Sequence, residues 1–366
     1  MAMLPTGAKK DPISRACRLH DRALAAREQG KHKLGKRLCE QSLGILETAL
    51  GARHPDVANV LNCLAAAEHD LANYLQAEKH FRRAANIMSR YRGDETLTRI
   101  RLQSLGGLAN VYRVLGRHCK AETVFRQALA IGTERLGPNH LDIAFVLNGL
   151  AVLHKYQGRF GEAARHYRRA LKIIERELGP EHLEAGVIYH NLGGLEHARG
   201  RFARGEAPAR RSVEISSKML GRNHPTVAAD MAALGGILDG QGKYDESAPL
   251  YRHALRVFRK VYGPEHYEVA VNLNNLAAVY YARGRMGLAK RLYCRALAIK
   301  EKILGSDHID VATTLNNLAV LSASTGDHDW AKALYKRCLT ILERALGKNH
   351  PQTKACRQNY ANLPKV

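Results

Sequence analysis

Between Leu136 and Leu178 the hydrophobic positions fall twice into a helical rhythm. In LDIAFVLNGLAVLHKYQ, Leu147, Leu150, Ala151 and His154 stand at i, i+3, i+4 and i+7; in GEAARHYRRALKIIEREL, Ala163, Tyr167, Ala170, Leu171 and Ile174 keep the same period. Such spacing gathers each set on one face of a helix. The intervening GRF breaks the pattern, so the segment predicts a helix A, a glycine turn and a helix B.

The same cassette returns along the chain. A Gly-x-x-His marker stands at Gly137/His140, Gly179/His182, Gly221/His224, Gly263/His266, Gly305/His308 and Gly347/His350, 42 residues apart, with an earlier copy at Gly51/His54. Self-similarity at this period means stacked supersecondary units, each burying its apolar face against a neighbour. The turn glycines Gly30, Gly116, Gly158, Gly200, Gly242, Gly284 and Gly326 keep step, with Ala72 replacing glycine in the second cassette. Glycine there suits a left-handed residue at the end of helix A. Pro55, Pro225 and Pro351 follow their histidines, where proline in a first helical turn loses no needed hydrogen bond. The histidine is therefore expected near the cap.

Counting turns predicts an all-α solenoid in one continuous domain, residues 13–363, behind a disordered segment 1–12. The expected helix pairs cover about 13–50, 55–92, 97–136, 141–178, 183–220, 225–262, 267–304 and 309–346, with a capping helix at 351–363. From Gly93 to Gly137 the interval is 44 residues, and RYRGDETL lacks the histidine, which reads as a two-residue insertion.

Period alone does not separate the kinds of helix-pair repeat, but the small residues do. Helix B carries Ala-x-x-x-Phe/Tyr-x-x-Ala as Ala77/Phe81/Ala84, Ala121/Phe125/Ala128, Ala163/Tyr167/Ala170 and Ala289/Tyr293/Ala296, with near copies at Ser247/Tyr251/Ala254 and Ala331/Tyr335/Cys338. Alanines let helices approach while one aromatic fills the gap. In these positions, and in the strings YGPEHYEVAVNLNNLAAVYYARGRMGLAKRLYCRALAIKEKILG, LGSDHIDVATTLNNLAVL and ESAPLYRHAL, nearly the whole chain resembles the long tetratricopeptide repeats of kinesin light chains and their bacterial relatives. The resemblance implies a right-handed superhelix whose A helices line a concave groove for short, often acidic peptides of partner proteins. Two departures stand out. No sustained heptads precede Ile13, so motor-chain binding through a coiled coil is not expected. In the fifth pair, Gly205, Ala209 and Ser212 replace the helix B code and Pro208 intrudes, which predicts loose packing and a flexible point.

Composition adds one anomaly. Lys and Arg number 57 against 34 Asp and Glu, a net charge of +23, which favours acidic partners without choosing among peptide, nucleic acid and anionic lipid. Arg117, Arg159, Arg201, Lys243 and Arg285 follow the turn glycines, and Arg82, Arg126, Arg168, Arg169, Arg210, Arg211, Arg252 and Arg295 lie on helix B. They form belts that read as a solvated face, or as a phosphate-binding surface. Seven cysteines are spread singly without a C-x-x-C pair and read as reduced thiols in helix cores. No stretch approaches the ~20 apolar residues of a membrane span, and no secretory signal or lipid anchor opens the chain, which points to the cytoplasm.

Groove residues are sought on helix A where packing does not use them. That stripe includes Asn62, Gly106/Asn110/Arg113, Asn148/Val152/Lys155, His190/Gly194/His197, Asn274/Ala278/Tyr281 and Asn316/Val320/Ala323, with Asn191, Asn275 and Asn317 beside it. An amide offers a donor and an acceptor together, so a ladder of them can bond the backbone of an extended peptide. The same asparagines can equally tie neighbouring helices. The candidate peptide-binding set is Asn110, Arg113, Asn148, Lys155, Asn191, Asn274, Asn275, Tyr281, Asn316 and Asn317. Arg113 and Lys155 would match acidic peptides and Tyr281 would supply an apolar wall.

No nucleophile, base and orienting group come together, and neither H-E-x-x-H nor G-x-x-x-x-G-K-[ST] occurs. His190 and His197 share a stripe but lack a third metal ligand, and the marker histidines lie a repeat apart. The expected function is therefore a non-enzymatic adaptor for segments of other proteins, without catalytic residues, metal or cofactor. Its oligomeric state is open. The alternative is a basic solenoid docking on nucleic acid or another anionic surface through helix B.

Overall fold

The computed structural model describes residues 11–91 and 94–364. Among them are seventeen helices and no strand: eight antiparallel A/B pairs and a closing helix. The described residues divide at Pro180/Glu181 into two compact units.

Unit 1 holds α1 (Pro12–Glu28), α2 (His32–Leu50), α3 (Pro55–Asp70), α4 (Tyr74–Met88), α5 (Glu95–Val114), α6 (His118–Leu136), α7 (Leu141–Tyr156) and α8 (Phe160–Leu178). Each B helix packs against its own A helix, α2, α4 and α6 pack against the next A helix as well, and successive A helices touch. Unit 2 repeats the scheme with α9 (Leu183–Ala198), α10 (Phe202–Leu220), α11 (Pro225–Gly240), α12 (Tyr244–Tyr262), α13 (Tyr267–Ala282), α14 (Met286–Leu304), α15 (Ile309–Ser324), α16 (His328–Leu346) and α17 (Pro351–Ala361).

Both helix ends follow from the repeated residues. Gly116, Gly158, Gly200 and their counterparts have φ between 66° and 82°, the left-handed region, and Ala72 alone among the described non-glycine residues enters it, at 61°. At the other end, the imidazole of each marker histidine is the N-cap itself. Nδ1 of His54, His140, His182, His224, His266, His308 and His350 accepts the backbone N–H two residues on, at 3.1 to 3.3 Å. One orphan donor of the first turn is thereby satisfied. Where RYRGDETL lacks the histidine, Asp94 takes its place and accepts from the Leu97 N–H at 3.0 Å, so α5 begins at Glu95 rather than 97.

Several boundaries shift. Asp11 and Pro12, assigned by sequence to a disordered segment, start α1: the Asp11 carboxylate accepts from Ile13 and Ser14 and Pro12 fills the first helical position. Residues 1–10 lie outside the described residues, as do Arg92 and Gly93, where the insertion was expected. α4 stops at Met88 and α17 at Ala361.

The expected loose packing of the fifth pair is overturned. α10 runs unbroken through Pro208, and Gly205, Ala209 and Ser212 are buried. A Cβ on Gly193 would lie 3.2 Å from that of Ala209, and one on Gly205 would lie 3.1 Å from the Gly193 carbonyl oxygen. Losing the aromatic has let two backbones close together, because small residues on both helices replace side-chain packing with direct helix contact.

Candidate peptide groove

Each unit has a hollow lined by its A helices. In unit 1 it measures about 550 Å³ and is walled by Leu24 of α1, Asn59 and Asn62 of α3, Gln103 and Asn110 of α5 and Phe145 of α7. Its floor comes from helix B: Phe81 and Phe125 press up against Gly107 and Gly149, where a Cβ would approach the rings closer than real packing permits. Of the two glycines of LGGLAN, Gly107 is thus a helix-packing site, while Gly106 has open space beside it and lines the hollow. Leu24 and Phe145 leave 40% and 41% of their surface exposed, so the hollow offers apolar contacts beside amides. Arg99 Nε bonds Asp142 Oδ2 at its rim, at 3.0 Å.

One turn further along the same stripe, Arg113 and Lys155 converge on the exposed Tyr156 ring, at 5.4 Å and 5.7 Å from its centroid. Burial and the Arg113 guanidinium push the Lys155 ammonium below its ordinary range, while Arg113 Nε is buried without a hydrogen-bond partner. The Tyr167 hydroxyl behind them is also buried and unpartnered. Two like charges crowd one place with donors to spare, an arrangement that an anionic group would relieve.

Unit 2 is different in character. Its hollow, also about 550 Å³, is lined by Glu184, Val187 and His190 of α9, Asp230 of α11 and Glu268 of α13, with Tyr262 of α12. His190 Nδ1 lies 2.7 Å from Asp230 Oδ1, so this imidazole is engaged by a carboxylate. Burial pushes the Glu268 carboxyl up. In the flanking cassette the corresponding carboxylate, Asp310, accepts from the Tyr267 hydroxyl at 2.8 Å; opposite Glu268 that donor position is held by Pro225, which has none.

The asparagines divide between two roles. Asn62 Nδ2 donates to the Ile100 carbonyl at 3.1 Å, tying α3 to α5. Asn317 Nδ2 donates to Asn274 Oδ1 at 3.4 Å, tying α15 to α13. Asn148 and Asn191 are likewise engaged. Asn110 faces the unit 1 hollow; Asn275 and Asn316 are half-buried on their A helices, Asn316 with its side-chain oxygen unpartnered. Tyr281 packs into the core around Tyr293 and Tyr335, so it is part of the interior more than of a wall. Sequence reasoning passed over Leu24, Phe145 and Tyr156, since an apolar residue in a helix pattern reads as core until its neighbours are known.

The helix B arginines of the belts are exposed except Arg211, which is half-buried, and many are paired. Arg126 and Arg159 both bond Glu122, at 2.7 Å each, and against the burial that would raise it they hold its carboxyl down to about 2. Arg117 reaches Glu78 at 2.9 Å and Lys243 reaches Glu206 at 2.8 Å. At Arg117, Arg159 and Lys243 the base after a turn glycine thus bonds an acid on the preceding helix B, whereas Ala164 and Ala248 stand at that register before Arg201 and Arg285.

No described helix is long and apolar enough to cross a membrane. No curated protein matches the chain in sequence. The family description "Tetratricopeptide repeat" matches residues 14–90, 100–176, 156–218, 184–260 and 227–302, and a second description of the same name matches 311–352. Among solved structures, the fold is similar to BtubC (BKLC) from P. vanneervenii, 24% identical over 65% of this chain and 92% of that one, with a TM-score of 0.53. It is also similar to a Rap protein complexed with competence and sporulation factor, 14% identical over 85% and 89%, with a TM-score of 0.59. A third is a STAND protein with a tetratricopeptide repeat sensor from Pyrococcus horikoshii, 14% identical over 90% and 49%, with a TM-score of 0.60. With family matches spread over most of its cassettes and every described helix in the expected pairing, the chain belongs to the tetratricopeptide-repeat family, with cassettes of 42 residues.

Proposed function

We propose that the protein is a non-enzymatic scaffold that holds extended segments of partner proteins against its A helices. The observation that carries this reading is the unit 1 hollow, where exposed Leu24 and Phe145 stand beside the amides of Asn59, Gln103 and Asn110. Apolar anchors with adaptable donors and acceptors are what an extended segment needs for side-chain pockets and backbone bonds. Arg113 and Lys155, crowded over Tyr156, add a preference for an acidic residue in that segment. Asn148 extends this surface within unit 1; within unit 2 we place a separate stretch at Asn191, Asn274, Asn275, Asn316 and Asn317, with Asn274 and Asn317 holding their helices in register and Tyr281 packed behind them. The Rap protein to which the fold is similar was solved with a bound factor, which agrees with a binding role for such an array.

The second reading, docking on nucleic acid through helix B, is favoured by one hollow of about 380 Å³ among Arg53, Lys79, Arg82, Arg83 and Arg90. The ion pairs of Arg82 with Glu78 and Arg83 with Glu47 weaken it.

An array of acidic and neutral peptides probed with the full-length protein separates the readings. Phe145→Ala with Arg113→Ala is expected to weaken peptide capture at least tenfold, about 1.4 kcal/mol, and Arg168→Glu with Arg211→Glu to leave it unchanged. Peptide capture indifferent to the first pair of changes would remove the groove reading. Salt-sensitive retention of duplex DNA, lost only with the second pair, would establish the alternative.

A further inference from the structure

Four of the seven cysteines, which the sequence scatters singly, meet in two buried pairs, one at each end of the array. Cys338 on α16 and Cys356 on α17 bring their sulfurs to 3.4 Å, with the side chains 0% and 2% exposed. Cys39 on α2 and Cys63 on α3 are buried together in the core of the first cassettes, 0% and 5% exposed. Cys17, Cys119 and Cys294 are exposed. In both pairs the helix B of a cassette faces the A helix that follows it, the joint through which stacked helix pairs hold together.

The pairs occupy packing positions that other residues fill elsewhere. Cys39 and Cys63 stand where the next cassettes have Phe81 against Gly107 and Phe125 against Gly149, so two thiols replace a ring and a glycine. Cys338 stands where five other cassettes have Ala84, Ala128, Ala170, Ala254 and Ala296. Packing alone does not call for sulfur at these places.

We propose that Cys338 and Cys356, and with them Cys39 and Cys63, are sites of reversible disulfide formation that staple the terminal helices of the array. Closing either bond needs the sulfurs to approach by rotation about χ1 from contact to bonding distance. The oxidant is a hydroperoxide. The Cys356 thiolate attacks its outer oxygen, the O–O bond breaks, and the alcohol leaves with a proton. The resulting sulfenic acid is attacked by the Cys338 sulfur; the S–S bond forms and the hydroxide departs as water with the Cys338 proton. Two electrons pass from the two sulfurs to the peroxide, and a dithiol reductant reverses the change by exchange. Cys356 is the first to react: the Cys338 thiol and Arg357 hold its thiol below the ordinary range, and α17 is an eleven-residue end helix. At the other end Cys63 has that part. Its thiol is lowered by the neighbouring Cys39 thiol, His20 and Arg27, and it lines the unit 1 hollow, which gives peroxide a way in.

The test uses full-length protein treated with hydrogen peroxide, alkylated under denaturing conditions, and digested with trypsin. Residues 338–344 are expected joined to 355–357, and 38–53 joined to 54–79, each lighter by two hydrogen atoms than the sum of its parts. Thermal unfolding of the oxidised protein moves up by several degrees and returns with dithiothreitol. Cys338→Ala, with the residue natural to five other cassettes, keeps the reduced protein folded and abolishes the C-terminal link and its share of the shift. Full alkylation of Cys338 and Cys356 after peroxide, sulfonic acid as their only product, or links that join them to exposed cysteines instead, each overturns the proposal.

Discussion

At the scale of the residue, the marker histidine is the informative case. Seven imidazoles cap seven helices through Nδ1, a task usually given to Ser, Thr, Asp or Asn, because any oxygen or nitrogen lone pair aimed at the first turn serves. The ring must be neutral there, with its hydrogen on Nε2, since a protonated Nδ1 turns an acceptor into a second donor. His308→Ala is therefore expected to cost about 1 kcal/mol in urea unfolding, and His308→Asn to restore most of it. Equal stabilities of the two variants would mean the ring acts by packing instead. Ala72 is the opposite case: it holds a left-handed conformation at a steric cost of roughly 1–2 kcal/mol that its glycine counterparts avoid.

At the scale of the element, helices join by a ring set against a missing Cβ. Phe81 meets Gly107 and Phe125 meets Gly149; in unit 2 a Cβ on Gly235 would stand 2.9 Å from the Tyr251 ring. Gly149→Ala drives a methyl group into a ring that is 1% exposed and cannot yield, an overpacking cost of roughly 1–3 kcal/mol. Gly44→Ala, in mid-helix with open space around it, gains up to about 1 kcal/mol from helix propensity. The two changes should thus move the denaturation midpoint in opposite directions, and Phe125→Leu added to Gly149→Ala should recover part of the loss. A destabilised Gly44→Ala, or a harmless Gly149→Ala, would contradict this account of the joint. α10 shows the same economy carried further, since without an aromatic its Gly205 and Ala209 meet Gly193 directly.

At the scale of the whole molecule, acid stability turns on histidines kept neutral inside. His154 is fully buried with neither ring nitrogen hydrogen-bonded, its Nε2 3.6 Å from the Glu122 carboxylate, and its ring centroid lies 5.2 Å from that of His166. Burial, with the neighbouring His154, pushes His166 down to about 4; burial and Arg159 lower His154. Unfolded imidazoles titrate near ~6.5, so between about 6.5 and 4 the unfolded chain binds more protons than the folded one. Stability then falls as pH falls through that window, and these groups cause no further loss below it. Urea midpoints at neutral pH and near pH 5 measure the effect. His166→Leu, the residue at the same register as Leu250, Leu292 and Leu334, is expected to flatten the dependence; an unchanged slope would place the acid sensitivity elsewhere.

The helices, their pairing, the turn glycines and the position of the caps were legible in one sequence because each depends on residues a few positions apart, repeated until chance is excluded. The groove was legible in part. Asn110, Arg113 and Lys155 were placed on one stripe by spacing, but Asn62, Asn274 and Asn317 look identical to them in sequence and differ only in what lies opposite. Cys338 and Cys356 stand in different helices, as do His154 and His166, and nothing local tells that their side chains meet. What the chain alone determined is the repeated unit, since periodic burial and backbone freedom are local properties. Tertiary structure decided which equivalent residues face a hollow, a neighbour or each other, because that depends on the substitutions in the adjoining cassette, where Pro225 stands at the register of Tyr267 and Gly193 at that of Ala151.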